Sequence, residues 1–87
     1  MAERQLVIPN AKGLHVRAAT ALARTAGGFE SAITVRREGD PVDAKSIMGL
    51  LLLTAAQGST ITVCAEGDDA ADALEAVAAL VESGFGE

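Results

Sequence analysis

Short stretches of alternating or continuous apolar residues predict four β-strands. They lie at residues 5–8, 33–36, 41–43 and 61–65. Pro9 ends the first strand, because proline has no N–H to donate to a neighbouring strand. The turn at 38–40 joins the second strand to a short third one.

Three further stretches carry apolar residues at intervals of three and four, which is the spacing of one helix face. The first helix is predicted at about 16–26 and ends at a pair of glycines. Ser46 is a favourable N-cap for a short second helix at 47–53, and the turn at 67–69 supplies a cap for the last helix. The expected core residues of the two longer helices are Ala19, Leu22, Ala23, Ala26, Ala70, Ala73, Leu74, Val77, Leu80 and Val81.

The predicted order of elements is β-α-β-β-α-β-α, which is an α+β fold. We expect one four-stranded antiparallel sheet covered on one face by three helices, an open-faced sandwich. The chain has 87 residues and no repeat, linker or low-complexity segment, so residues 1–87 are expected to form a single domain. All functional residues must then lie on the surface or in the core of this one small domain.

The composition narrows the classes of function. Apolar residues make up 49% of the chain and charged residues 22%, which is typical of a folded domain and not of a disordered one. The net charge of −5 and the aromatic content of 2% argue against nucleic acid, which needs a basic surface and stacking rings. Protein partners fit this composition better.

The cysteine and histidine content bears on metals and on the cellular compartment. The chain has one Cys and one His, so we expect no intrachain disulfide, no cluster of metal ligands and no cofactor. Cys64 lies in the fourth strand, where a small apolar thiol is the simple interpretation. Residues 1–6 lack the apolar core of a signal peptide, and the apolar run at 47–53 is too short for a bilayer. These features predict a cytoplasmic protein without membrane insertion.

The sequence places His15 between an extended segment and the first helix. A helix start has unpaired N–H groups and the positive end of the helix dipole, both of which favour an anion such as phosphate. A neutral imidazole has one nitrogen with a lone pair that can attack phosphorus. Gly13 permits a close backbone approach, and Arg17 can donate charge-assisted hydrogen bonds to phosphoryl oxygens. We interpret His15 as a residue that accepts a phosphoryl group and hands it on.

The second helix has more apolar residues than one core can take. We expect Leu50 and Leu53 to point inward. Helical spacing then leaves Ile47, Met48 and Leu51 close together on the outside. Exposed apolar clusters commonly mark docking surfaces, and a flexible methionine suits a surface that accepts several partners.

The first helix contributes to the same expected surface. Val16 adds an apolar side chain beside the histidine. Arg17, Thr20 and Arg24 share one helix face at intervals of three and four. Together the two helices are expected to form an apolar patch rimmed by positive charge, on which a partner protein docks. The alternative is that these side chains are core residues or solvated surface residues.

Two motifs resemble a known family. The segment NAKGLHVRAA at 10–19 is similar to the active-centre motif of the HPr family, the histidine phosphocarriers of the phosphoenolpyruvate-dependent phosphotransferase system (PTS). The segment DAKSIMGL at 43–50 is similar to the regulatory-serine motif of that family, and the resemblance covers essentially the whole chain. The sequence departs from the usual pattern at Val16, where the family has a small residue, and at Ala18, where it often has proline. The alanine at position 18 is similar to the pattern of the nitrogen-related branch of the family.

The resemblance implies a relay between proteins. Enzyme I, charged by phosphoenolpyruvate, would pass its phosphoryl group to Nδ1 of His15, and an EIIA-type protein would remove it. The second motif indicates that Ser46 is a site for a kinase, HPr kinase/phosphorylase, and the added charge would oppose docking of an acidic partner. Such a chain is a phosphocarrier rather than an enzyme. We expect it to be a monomer.

Two other classes of function stay open at this point. A noncovalent regulatory or ligand-binding module would keep its activity after the substitution His15→Ala. A small hydrolase would use the same histidine as a general base, although the motif holds no serine or cysteine nucleophile with a third orienting group. The sequence also leaves open whether the acceptor serves sugar uptake or a regulatory branch.

Overall fold

The computed structural model describes residues 2–86. Its elements are β1 (Ala2–Val7), α1 (Val16–Gly27), β2 (Ala32–Arg36), β3 (Val42–Asp43), α2 (Ile47–Leu52), β4 (Thr60–Glu66) and α3 (Ala70–Glu82). This order confirms the predicted β-α-β-β-α-β-α arrangement. The largest difference concerns β1, which begins three residues before the predicted 5–8 and ends before Ile8. Its first residues pair with β4 through their backbones. Their side chains are mostly polar and exposed, so the sequence shows no apolar pattern there.

The four strands form one antiparallel sheet in the order β1-β4-β2-β3. β4 is central, and its residues Ile61, Val63 and Ala65 are fully buried. α3 packs against β1 and β4, and α1 packs against both α2 and α3. The other side of the sheet is open, with Glu3 and Cys64 on it. The predicted fold class, an open-faced α+β sandwich, is confirmed.

Aliphatic side chains from the helices and the sheet form the core. Most of the helical residues expected there are buried, namely Ala19, Leu22, Ala26, Ala73, Leu74, Val77 and Val81. Ala23, Ala70 and Leu80 are partly buried at its margin. Ala18 and Ala78 are buried as well, because the two long helices also pack against each other. Within residues 2–86, no helix has the length and apolar character needed to cross a membrane.

The turn at 67–69 supplies the cap of α3, as the sequence predicts. Asp69 occupies the N-cap position, but its side chain makes no cap hydrogen bond. Its carboxylate accepts hydrogen bonds from the N–H groups of Glu30 and Ser31, each at 2.9 Å, and from the Ser31 hydroxyl. Gly67 packs against Ser31, which brings the carboxylate within reach of the chain that precedes β2. The predicted cap position is confirmed, and the Asp69 carboxylate ties α3 to the α1–β2 connection instead of bonding to its own helix.

We expect Asp69 to make the stability of the protein sensitive to acid. Hydrogen bonds from Ser31 and from Glu30 lower the pKa of the Asp69 carboxyl below its ordinary value of 3.8. Such a group stabilises the fold above its ordinary pKa and loses that contribution as the pH falls through the lower, folded-state pKa. From about pH 4 downward, the urea midpoint of the wild type should therefore fall more steeply than that of Asp69→Asn.

The neighbouring carboxyl of Asp68 provides a matched control, because it is exposed and precedes the same helix. The substitution Asp68→Asn should leave the acid sensitivity of the urea midpoint close to that of the wild type. Equal slopes for the wild type and Asp69→Asn would contradict the prediction.

Candidate functional site

His15 is the N-cap residue of α1. Its backbone is extended, with φ −85° and ψ −178°, and its carbonyl accepts the first helical hydrogen bond from Ala19 N at 2.8 Å. The ring nitrogen Nδ1 accepts a hydrogen bond from the backbone N–H of Arg17 at 3.2 Å. The imidazole is half-buried. The predicted junction between extended chain and helix is confirmed, and the structure adds that the imidazole itself caps the helix.

The loop before His15 is held by hydrogen bonds to backbone carbonyls. Asn10 donates from Nδ2 to the carbonyl of Gly13 at 2.9 Å, and Gly13 N donates back to the Asn10 carbonyl at 3.1 Å. Leu14 is buried, and its N–H donates to the carbonyl of Ala55 at 2.8 Å. Gly13 has φ +64°, and a Cβ placed there would lie 2.5 Å from the Ala55 oxygen. The close approach expected of Gly13 is confirmed, and it fixes His15 relative to the chain after α2.

The capping bond sets the chemistry of the imidazole. A nitrogen that accepts a hydrogen bond carries a lone pair and no proton, so the proton of the neutral ring is on Nε2. Nδ1 therefore points its lone pair toward the first turn of α1, where N–H groups have no acceptor within the helix and the helix dipole is positive. This arrangement suits attack by Nδ1 on an electrophile that is itself negatively charged, because the helix end stabilises the charge.

The Arg17 side chain is exposed and lines an open cleft of about 460 Å³ beside this helix end. One wall of the cleft is the 10–12 loop, and the other is Phe85 and Gly86 at the far end of the chain. The second wall is not apparent from the sequence, because the folding of the chain after α3 brings these residues to the cleft. The Phe85 N–H donates to the Leu80 carbonyl at 2.9 Å, which turns the chain back after the helix.

The apolar residues of α2 divide between core and surface. Leu50 and Leu53 are buried as predicted. Ile47 and Met48 are exposed, to 38% and 71%. Leu51 differs from the prediction, because it is partly buried and packs against the core.

Leu52 is exposed in place of Leu51, with 76% of its surface accessible, and it is not among the residues that the sequence predicts on the surface. α2 has six residues and packs on α1, so the contact with α1 rather than the helical spacing decides which side chains face outward. Val16 on α1 is 62% exposed. We call Val16, Ile47, Met48 and Leu52 the apolar patch.

The polar residues of α1 that the sequence predicts beside this surface are on the exposed or partly exposed side of the helix. Arg17 and Arg24 are exposed, as expected for a positively charged rim. Thr20 is half-buried, and its hydroxyl donates to the carbonyl of Val16 at 2.8 Å. That bond engages the hydroxyl proton within the helix, so Thr20 offers a partner an acceptor and a methyl group.

Ser46 caps α2 as predicted. Its Oγ accepts a hydrogen bond from the N–H of Gly49 at 3.0 Å, and the side chain is half-buried. Ser46 lies directly before Ile47, so a group attached to its oxygen is adjacent to the apolar patch. The predicted structural role is confirmed, and the regulatory role stays a prediction.

The substitution Ser46→Ala should lower the free energy of unfolding by about 1 kcal/mol, since it leaves one N–H of α2 without its acceptor. Ser46→Asp keeps an acceptor at the N-cap and should retain stability close to that of the wild type. Urea unfolding of the three proteins measures both effects. An unchanged midpoint for Ser46→Ala would argue that the cap contributes nothing.

Cys64 is half-buried in the central strand of the sheet, as predicted for a strand thiol. Its Sγ donates to Oε2 of Glu3 at 3.2 Å. Partial burial and this hydrogen bond raise the pKa of the Cys64 thiol, so the group stays protonated and is a poor nucleophile. Within residues 2–86, no three His, Cys, Asp or Glu side chains come together as a metal site.

Comparison with known proteins agrees with this geometry. The family model described as the PTS HPr component phosphorylation site matches residues 2–83. The phosphocarrier protein HPr of Cupriavidus necator is 45% identical over 87 residues, covering 100% of this chain and 98% of the relative. The phosphocarrier protein NPr of Shewanella violacea is 46% identical over 85 residues, covering 98% of this chain and 93% of the relative.

A solved structure is also similar to this chain. The crystal structure of HPr-C-His from Thermoanaerobacter tengcongensis superposes with a TM-score of 0.96 at 44% sequence identity, covering 100% of this chain and 98% of that one.

Proposed function

The chain belongs to the HPr family of PTS phosphocarriers, and we propose that His15 is the residue on which it carries the phosphoryl group. The hydrogen bond from Arg17 N to Nδ1 carries this proposal, because it identifies the nitrogen with the lone pair and aims it at the positive end of α1. A phosphocarrier has no turnover of a small substrate of its own, so the chain is a carrier and not an enzyme.

The transfer exchanges one phosphorus–nitrogen bond for another. Nδ1 of His15 attacks the phosphorus of a phosphohistidine on the donor, and a new P–Nδ1 bond forms. The bond between phosphorus and the donor nitrogen breaks, and its electron pair returns to the donor imidazole. The Arg17 N–H that bonds to Nδ1 in the uncharged protein becomes available to a phosphoryl oxygen. Because a similar bond is broken and made, the step is readily reversible, as a carrier requires.

Two groups stabilise the phosphoryl charge in this proposal. The N-terminus of α1 supplies N–H groups and a favourable dipole. The guanidinium of Arg17, two residues along the helix, can donate charge-assisted hydrogen bonds to phosphoryl oxygens. Neither group reacts; both position the phosphoryl group and lower the free energy of the charged state.

The partners in this proposal dock on the apolar patch. The patch lies on α1 and α2, whose N-cap residues are His15 and Ser46. A protein bound to the patch therefore covers the transfer site, which is the region around His15. The donor is Enzyme I charged by phosphoenolpyruvate, and the acceptor is an EIIA-type protein that uses the same surface. Donor and acceptor must therefore alternate, and the relay operates in the cytoplasm. The exposed cations Arg17 and Arg24 favour partners with acidic docking surfaces.

Ser46 is the proposed regulatory site. A phosphoryl group there adds a charge of about −1.5 to −2 next to Ile47. The N-terminus of α2 tolerates this charge, but an acidic partner approaching the apolar patch is repelled by it. HPr kinase/phosphorylase is the proposed modifying partner.

Incubation of the chain with Enzyme I and labelled phosphoenolpyruvate tests the proposal. We expect a mass gain of one phosphoryl group, mapped to His15 and lost in acid, and its removal when an EIIA-type protein is added. Parallel additions of EIIA proteins from sugar-uptake and nitrogen-related systems identify the branch. The proposal fails if a donor of verified competence produces no mass gain.

A further inference from the structure

The cleft beside α1 lies between two chain segments that backbone hydrogen bonds hold in place. On one side, the loop of residues 10–12 is closed by the hydrogen bond from Gly13 N to the Asn10 carbonyl. On the other side, Phe85 is 94% buried, with 6% of its surface exposed, and its N–H is bonded to Leu80. The cleft between them measures about 460 Å³ and is open to solvent. This volume accommodates a phosphate or a carboxylate together with its water.

The charged side chains among the described residues that line the cleft are basic, in a protein that is acidic overall. Lys12 and Arg17 both line it, whereas the chain as a whole has a net charge of −5. Neither side chain has a carboxylate within 4 Å among residues 2–86, where the ion pair joins Arg36 to Glu3 at 3.8 Å. Two cations that line one opening raise the local concentration of anions.

Two other basic side chains are engaged with the backbone of the fold. The Lys45 ammonium donates to the Phe29 carbonyl at 2.9 Å, and the Arg37 guanidinium donates to the Leu53 carbonyl at 3.4 Å. Their donors satisfy backbone carbonyls of the fold. Lys12 is exposed and lies three residues before His15, across the tight turn at Gly13. Its side chain lines the same cleft as Arg17, which lies two residues after His15.

We propose that Lys12 is a positioning residue of the transfer site and that it binds an anionic oxygen group in this cleft together with Arg17. The inference rests on the proposed role of His15 and extends it. The ligand chemistry is that of an oxyanion, for which an ammonium on a flexible stem is a suitable point charge. The oxyanion is either the phosphoryl group attached to His15 or a carboxylate of the docked transfer protein.

Binding of inorganic phosphate to the uncharged protein tests the site without any transfer reaction. We expect the amide resonances of Lys12 and Gly13 to shift with phosphate in a saturable manner. The substitution Lys12→Gln should weaken this binding about tenfold, which corresponds to the loss of one charge-assisted contact. Lys12→Arg should restore most of it.

The control for net charge is Arg4→Gln, which removes one positive charge from an exposed position in β1. Arg4→Gln should leave phosphate binding close to that of the wild type. Equal weakening by Lys12→Gln and Arg4→Gln overturns the proposal, because it reduces the effect to overall charge.

Two further measurements identify the source of the oxyanion. If the phosphoryl group itself is held, Lys12→Gln changes the ³¹P resonance and the hydrolysis rate of the isolated phosphorylated protein. If a partner carboxylate is held, both stay unchanged, and the KM for the donor rises about tenfold at low salt with kcat retained. Failure of the wild type to be phosphorylated would instead count against the function of His15, while the phosphate titration would still decide the role of Lys12.

Discussion

The substitution His15→Asn should abolish phosphoryl transfer while it preserves the fold. Asparagine is a favourable N-cap residue, so its side chain can replace the hydrogen bond that Nδ1 accepts from Arg17 N. It has no nucleophilic ring nitrogen and forms no phosphoramidate of the histidine kind. Incubation with Enzyme I and labelled phosphoenolpyruvate should therefore give no acid-labile label, against stoichiometric labelling of the wild type.

His15→Ala serves as the companion variant, because it removes both the nucleophile and the cap. It should lose labelling as completely as His15→Asn and should also lose about 1 kcal/mol of stability. Cys64→Ser, at a position on the other side of the sheet, should label as the wild type does. Label retained in His15→Asn would show that another residue carries the phosphoryl group, and activity without label would favour a noncovalent module.

The sequence predicts elements correctly where the information is local. The spacing of apolar residues locates α1 and α3, and Ser46 directly before an apolar run identifies the N-cap of α2. The position of His15 at a helix start follows from the same reasoning, since Gly13 and the alanine-rich segment that begins at Val16 flank it in the chain. These features depend on neighbours within a few residues.

Features that depend on distant partners are not visible in the chain. Asp69 is expected to cap its own helix, yet its carboxylate binds Ser31, 38 residues away. Leu52 of α2 is exposed where Leu51 is expected, because packing against α1 decides how this short helix is oriented. Phe85 joins the cleft near His15 through the turn after α3. In each case, tertiary contacts choose among alternatives that local pattern leaves equivalent.

Gly13→Ala should be among the most destabilising single substitutions in the loop that holds His15. The alanine would have to adopt φ +64°, and its Cβ would lie 2.5 Å from Ala55 O and 2.9 Å from Ala56 Cα. Both are backbone atoms, so the loop must move and the hydrogen bond from Leu14 N to Ala55 O is strained. The left-handed conformation and the overlap together should lower the free energy of unfolding by roughly 3 kcal/mol.

Gly39→Ala separates the two contributions. Gly39 has φ +83°, and an added Cβ meets nothing within 4 Å, so its replacement should cost only the conformational part, about 1 kcal/mol. Urea unfolding of both variants measures the difference, which reports the steric overlap. A shift of the loop also moves the imidazole away from the first turn of α1, so Gly13→Ala should slow phosphoryl transfer even where the variant is folded, whereas Gly39→Ala should not. Equal destabilisation by the two substitutions would mean that the approach of Gly13 to Ala55 can relax freely, and the loop would then not be what fixes His15 at the helix end.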